Sequence, residues 1–342
     1  MGVYRLLLAY LVAIGHMHAP IAGTYAVGVS AVISFFLLSG FVMTGLVRKY
    51  YFRLSAIPAF YVERFLRLAP QFYFYSGLTL LCSLLGFRHD FLQELPSAKS
   101  VLLQFTAAPL NFYQYFPNML LPQGWSLGLE IIFYSIIPFV LIFGLRLWAG
   151  LLSLLVYLSA YFGFLDTNLW GYRYLPGTLF IFISGSFLFS NADRHERVFI
   201  ALAWGGAMVL LSLTYYYPEL GSLYNRSVLL GLIIGIPAVK LLKPLSKDEA
   251  SGKTFDSLAG NLSYGVFLSH MLVIGGVQTF GIDFKAHGGV LLTIFVLACS
   301  TLLSLASFKL LEEPLIAHRR QGRQKQANAD TLRAIVTTSD TK

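Results

Sequence analysis

Apolar stretches of about twenty residues, separated by short polar breaks, recur along almost the whole chain. That length is what a helix needs to cross the hydrocarbon core of a bilayer. A helix is also one of the few structures that can satisfy its own backbone polar groups there. Read this way, the sequence predicts ten spans, at about 3–21, 25–47, 68–87, 125–146, 148–165, 173–190, 198–217, 227–243, 258–279 and 289–311. Only 12% of the residues are charged, about half the share of an ordinary soluble domain. A soluble globular enzyme, a disordered chain and a fibrous chain are therefore excluded. The expected fold class is an all-α integral membrane protein. One transmembrane domain would cover 1–317, followed by a polar, basic tail over 318–342 with Arg319, Arg320, Arg323 and Lys325, expected to be disordered. Within the long connection 88–123, the stretch 101–122 is apolar and aromatic but interrupted by Pro109, Pro117 and Pro122. It reads as a re-entrant or interfacial piece rather than a crossing.

Net charge is +9, which invites a nucleic-acid reading until the basic residues are sorted by side. With the N-terminus in the cytoplasm and the spans alternating, 20 of the 25 basic residues fall inside and 5 outside. Such a bias sets orientation in membrane proteins. Both termini are expected in the cytoplasm, and no nucleic-acid partner is needed. The run after Arg5 has the look of a secretory signal peptide, but Pro20 and Ile21 make a poor cleavage context. Its removal would also put the other nine spans out of register with the charge bias. Cys82 and Cys299 both sit in apolar runs and read as packing residues, not as a disulfide or metal pair. No metal site is expected.

Ionisable groups inside spans are costly and mark candidate sites. Arg5 and His16 are eleven residues apart, three helical turns plus about 20°, so they share a face with roughly 16 Å between them. Arg64 and Arg67 also share a face and offer two guanidinium groups suited to phosphate. Either set also serves the positive-inside bias. Trp125, Ser126 and Glu130 open the fourth span, with Ser126 and Glu130 on one face. Glu130 either snorkels to the surface or orients a histidine. Asn261, Ser263, Tyr264, Ser269 and His270 make the ninth span unusually polar, which suits a site or helix–helix glue. Glu312 and Glu313 precede Pro314, where a helix is expected to end.

Together these residues resemble the membrane acyltransferase-3 family, bacterial multi-span O-acyltransferases of surface polysaccharides, O-antigens and lipo-oligosaccharides. Its Arg-ten residues-His pattern is similar to Arg5–His16 and its FFxxSGF to Phe35–Phe41. RxxRxxP resembles Arg64–Pro70, and WSLxxE with FY resembles Trp125–Tyr134. SYxxYLxH resembles Ser263–His270, and EEPL resembles Glu312–Leu315. These matches run in order over about 4–316. Three features depart from the pattern. Ile33 stands where many members carry Asp, the lead-in before Arg5 is short, and no esterase-like domain is expected after the last span. Transfer would then fall to the membrane domain alone.

The resemblance implies acetyl-CoA as donor, with no permanently bound cofactor, and a glycan or glycolipid acceptor at the outer side of a bacterial inner membrane. Arg5, Arg64 and Arg67 would hold the donor. His16 would be the general base or carry the acyl group covalently, and Glu130 would orient it. Trp125, Ser126, Tyr264 and His270 would line or support the site. The competing expectations are a transporter or flippase of a glycan-assembly pathway, favoured by many spans and midplane polar groups, and a structural subunit without catalysis.

Overall fold

The computed structural model describes residues 1–315 apart from Ala19, Ala22, 191–192, 245–254, 283 and 285–288. The expected tail over 318–342 and the basic residues Lys247, Lys253 and Lys285 lie outside the described residues. Helices account for nearly all regular secondary structure among the described residues. They are α1 (Gly2–Met17), α2 (Val27–Tyr50), α3 (Ile57–Leu84), α4 (Ala98–Phe105), α5 (Gly124–Ile142), α6 (Arg146–Tyr161), α7 (Leu175–Phe189), α8 (Arg194–Tyr216), α9 (Leu223–Leu242), α10 (Phe255–Thr279) and α11 (Val290–Ser307). Among the described residues, β pairing is limited to the isolated bridges Ile21–Tyr25 and His89–Leu92.

A helix occupies each of the ten expected stretches. Six are long and apolar enough to cross a membrane: α2, α5, α8, α9, α10, and α11 with its continuation to Leu315. The remainder differ for plain reasons. At 16 residues each, α1 and α6 rise about 24 Å, short of a hydrocarbon core of about 30 Å. Helix α7 has 15 residues. Helix α3 is long, at 28 residues, but carries Glu63, Arg64 and Arg67 in its first half. It begins at Ile57 with a proline in its first turn, well before the expected start near 68, because an early proline is pre-set for helix. Arg64 and Arg67 are thereby fixed on a helix.

Local signals set the other boundaries. Asp193 caps α8 by accepting from the Glu196 amide at 2.9 Å, and Ser222 caps α9 through the Asn225 amide at 3.1 Å. Gly144 and Gly163 follow α5 and α6 with φ of 68° and 81°, a conformation that stops a helix and that glycine adopts without strain.

Helix α2 is the central post, packed by α1, α5, α7 and α9. Its crossing with α7 brings the backbones together. A Cβ on Gly40 would collide with the Phe182 carbonyl, and one on Gly185 with the Leu37 carbonyl. Small residues at such crossings let membrane helices approach closely. On the other flank α1 packs on α10, which packs on α11, while α3 meets α5 and α10. The 88–123 connection folds back into the bundle. Ala107, Leu110, Phe116, Met119 and Leu121 are buried with Phe72, Tyr75, Leu127 and Leu268 from α3, α5 and α10.

Among the described residues, Arg48, Arg146 and Lys243 cluster at one end of the bundle, the basic end. Arg146 is paired with Glu196, and Lys243 donates to the Ser190 carbonyl at 3.3 Å. Arg88, Arg173 and Arg226 belong to the opposite end, where α3 finishes and α7 and α9 begin.

Candidate functional site

Two neighbouring spaces run through the middle of the bundle. The first, of about 950 Å³, lies toward the basic end between α1, α2, α3, α5 and α10. Its polar lining includes Arg5, Arg64, Arg67, Ser126, Glu130 and Tyr264. The second, of about 530 Å³, lies toward the opposite end and is lined by His16, Gln123, Trp125, Ser126, Tyr172 and Arg173. Val32, Ser126 and Phe267 line both, so one layer of side chains separates them.

Helix α1 runs unbroken from Gly2 to Met17, so Arg5 and His16 share its inner face at the expected spacing. Arg5 lines the first space and His16 the second. His18, two residues on, turns away to meet the Thr293 hydroxyl at 2.8 Å. His16 is not packed tightly: its side chain opens onto the chamber. Its ring lies 5.4 Å from that of His270, centroid to centroid, and 6.2 Å edge-on from Phe91.

His270 is fully buried, and its Nδ1 lies 3.2 Å from the Val266 carbonyl. A carbonyl only accepts, so neutral His270 carries its proton on Nδ1. Its Nε2 then presents a lone pair, and that atom is buried without a hydrogen-bond partner. Arg173 enters the same chamber wedged between aromatic faces, 4.0 Å from the Tyr113 ring centroid and 4.4 Å from that of Trp125. Its Nε donates to Asn168 at 2.9 Å. The guanidinium is thus held by rings and one amide. Gln123 donates to the Leu268 carbonyl at 2.8 Å and ties the start of α5 to α10 beside His270.

The first space has a different character. Glu130 accepts from the Ser39 hydroxyl at 2.6 Å and from the Tyr134 hydroxyl. The expected pairing of Glu130 with His16 does not appear as a hydrogen bond; Glu130 Oε1 instead accepts from α2 and from its own helix. The two residues line adjacent spaces linked by Ser126. Arg67 is ion-paired with Glu312, whose side chain is nearly fully buried. Arg64 meets its neighbour Glu63 at 3.3 Å, and its Nε is buried without a hydrogen-bond partner. Tyr264 donates to the Leu68 carbonyl at 3.0 Å and ties α10 to α3. Ser126 donates to the Gln123 carbonyl at 3.2 Å, and Trp125 packs on Tyr172.

Residues marked out by sequence therefore divide between two adjacent spaces. Arg5, Arg64, Arg67, Glu130 and Tyr264 belong to one, His16 and Trp125 to the other, and Ser126 to both. His270 backs onto His16. The sequence motifs do not include Arg173, Gln123 or His89. Arg173 had a visible signal, since it sits in WGYRY among aromatic residues that can stack on it. Glu312 reads in sequence as a helix end, yet it anchors Arg67. Among the described residues, no group of three or more His, Cys, Asp or Glu side chains is placed to hold a metal ion.

A family model described as an acyltransferase domain matches residues 3–308. The chain is 27% identical over 318 residues to the exopolysaccharide production protein ExoZ of Rhizobium meliloti (strain 1021), covering 89% of this chain and 94% of that protein. It is 34% identical over 167 residues to an uncharacterized protein of Aquifex aeolicus (strain VF5), covering 46% of this chain and 71% of that one. No solved structure matches it significantly.

Proposed function

The chain belongs to the acyltransferase-3 family, and from that premise we propose that it moves an acetyl group from cytoplasmic acetyl-CoA to a hydroxyl of a surface polysaccharide. In this reading it sits in a bacterial inner membrane with its basic end and both termini inside. Similarity to a protein named for exopolysaccharide production supports a polysaccharide acceptor. The observation that carries the proposal is the pair of adjacent spaces that share Ser126, with cations lining one and His16 opening onto the other.

The CoA phosphates sit at the basic end. Arg64 keeps a guanidinium nitrogen unspent there, and paired or charge-assisted donors suit phosphate oxygens. Arg67, held by Glu312, is a positioned rather than a mobile cation. The pantetheine arm passes Glu130 and Ser126, so that the thioester carbonyl reaches the chamber of His16. Arg5 and His16 stand roughly 16 Å apart along α1, which sets the length of that path.

A sugar hydroxyl is a poor nucleophile near neutral pH and needs a base during attack. His16 takes the hydroxyl proton as the oxygen forms its bond to the thioester carbon. The C–S bond then breaks, and the CoA thiolate leaves with the proton that the imidazolium returns. The product is an ester and free CoA. Arg173 supplies positive charge in the same chamber, where negative charge develops on the carbonyl oxygen.

The test is transfer of label from acetyl-CoA to surface glycan in cells carrying the wild type or His16→Ala at equal membrane abundance. Label with the wild type and near-absence with the variant is the expected result. Equal label in both would remove His16 from the chemistry. Glycan movement without acetyl-CoA, and no label in either, would favour a transporter instead.

A further inference from the structure

Beyond the chamber of His16, at the end of the molecule opposite the basic one, lies a further pocket of about 830 Å³ that opens to solvent. It is built by the stretch that follows α3 and by the last turn of α10. Its polar wall consists of Arg88, His89, Asp90, Gln93, Gln278 and Thr279. None of these residues belongs to the motifs that mark the two inner spaces.

The wall is pinned in place. Arg88 donates through Nη1 to the Ser83 and Phe87 carbonyls at 2.8 and 2.7 Å. The Thr279 hydroxyl donates to the Gly275 carbonyl at 2.8 Å, and the Arg88 amide lies 3.4 Å from that hydroxyl. Gln93 donates to the His89 carbonyl at 3.0 Å. Asn118 accepts from the Gln93 and Glu94 amides, both at 3.2 Å, which fixes the stretch from the far side.

Within this fixed wall, hydrogen-bonding capacity remains unused. Gln278 reaches Asp90 with one amide hydrogen at 3.4 Å, while its Oε1 is buried without a partner. His89 is 3% exposed, and its Nδ1 accepts from the Phe91 amide at 3.1 Å. Its proton therefore sits on Nε2 in the neutral ring. That Nε2 is also buried without a partner. Buried polar atoms left unpaired cost about 1–3 kcal/mol each, so their presence at one wall points to a ligand that pairs them.

Composition says which ligand. Arg88 and Asp90 oppose one another in charge, so the pocket favours neither a phosphate nor a cation. Arginine only donates, a carboxylate only accepts, and the glutamines do both. Hydroxyl groups on neighbouring carbons present donors and acceptors side by side and fit that mixture. Phe91, 50% exposed, adds an aromatic face, and its ring contacts His89 at 6.5 Å and His16 at 6.2 Å. The pocket thus stands one residue layer from the proposed base.

We infer that this pocket is the acceptor subsite, taking an uncharged sugar residue whose hydroxyls are held by Asp90, Gln93, Gln278 and Arg88, with His89 between that sugar and His16. The assignment rests on reading the chain as a glycan acyltransferase. The bound sugar projects one hydroxyl past His89 to His16, and His89 is a positioning residue that donates from Nε2 to the sugar.

The experiment uses detergent-solubilised full-length protein, labelled acetyl-CoA, and the host's own surface polysaccharide stripped of ester-linked acyl groups with mild alkali. Asp90→Asn and Gln278→Leu are each expected to raise the acceptor KM about tenfold, as loss of one ligand hydrogen bond does. The donor KM and kcat should stay within about twofold. An unchanged acceptor KM in both variants, or a rise in donor KM instead, overturns the subsite while leaving the transferase reading intact. A wild type that transfers nothing to that polysaccharide overturns the transferase reading and the subsite with it.

A second measurement does not depend on turnover. Gln93→Cys, with Cys82→Ser and Cys299→Ser, is labelled by a membrane-impermeant maleimide with and without the polysaccharide. Slower labelling at saturating polysaccharide is expected, and an unchanged rate overturns the assignment.

Discussion

The basic-end cavity and the chamber of His16 share a wall, yet they are built on different plans. Around the first, charge answers charge at short range: Arg67 on Glu312, Arg64 beside Glu63, and Glu130 held by Ser39 and Tyr134. Around the second, polar groups are set among rings. Arg173 lies between Tyr113 and Trp125, and His16 is flanked by His270 and Phe91. The first suits a charged ligand held by electrostatics. The second suits proton transfer to a neutral one, where a loosely held imidazole can serve as both acceptor and donor. The contrast predicts which kinetic constant each region controls.

The largest effect should come from the ring-lined chamber. His16→Ala is expected to lower kcat by about 10²–10⁴-fold, the usual loss on removing a general base. Donor binding should be little changed, because the phosphate end lies in the other space. Isothermal titration of the detergent-solubilised variant with CoA checks this. A large fall in CoA affinity would mean that the two regions are not separable.

Next is Arg64→Ala in the charge-lined cavity. Loss of a charge-assisted hydrogen bond costs about 1.5–3 kcal/mol, so the donor KM should rise about 10- to 100-fold. The acceptor KM should hold. Steady-state kinetics with each substrate varied in turn decides it, and the opposite split would exchange the roles of the two ends.

What the sequence disclosed follows the same division. Spacing along one helix is a fixed geometry, so the shared faces of Arg5 with His16 and of Ser126 with Glu130 follow from residue numbers alone. Helix positions followed from apolar length, with errors where proline chemistry shifted an end, as at Ile57. Contacts between distant segments were not legible. The Glu312 partner of Arg67 lies 245 residues away in sequence. Glu130 was expected beside His16, but a short serine on α2 reaches it first. His89 lies in a connection without periodicity, and only folding brings it beside α10. Gly40 and Gly185 gave no signal of the α2–α7 crossing, because close backbone approach is a property of two helices at once.

A third test separates holding from binding within the charged region. Glu312→Ala leaves Arg67 without its anchor, at an expected cost of about 1–3 kcal/mol in stability, since the Arg67 guanidinium is partly exposed and can rehydrate. The double variant Arg67→Met with Glu312→Leu should recover part of that loss, because well-packed apolar residues often replace an ion pair at little cost. Donor KM should nevertheless stay raised in the double variant. Thermal melting and donor kinetics on the same preparations give both answers. If stability and donor KM recover together, Arg67 is scaffold and not part of the donor site.

The smallest effect expected lies in the acid range and probes the outer edge of the ring-lined region. His89 sits outside the helices, and its imidazole is held down at about 4 because burial strips water from the charged form. The neighbouring Asp90 carboxylate works against that depression without cancelling it. In the unfolded chain the same group titrates near 6.5. Between those values the unfolded state binds more protons than the folded one, so stability falls as pH drops from about 6.5 toward 4. Above pH 6.5 both states are neutral at this residue and the contribution is flat. By pH 5 the loss should be roughly 1–2 kcal/mol. In His89→Gln that component should vanish, leaving a shallower decline in melting temperature between pH 6.5 and 5. Parallel curves for variant and wild type would mean that water reaches His89 in the folded protein.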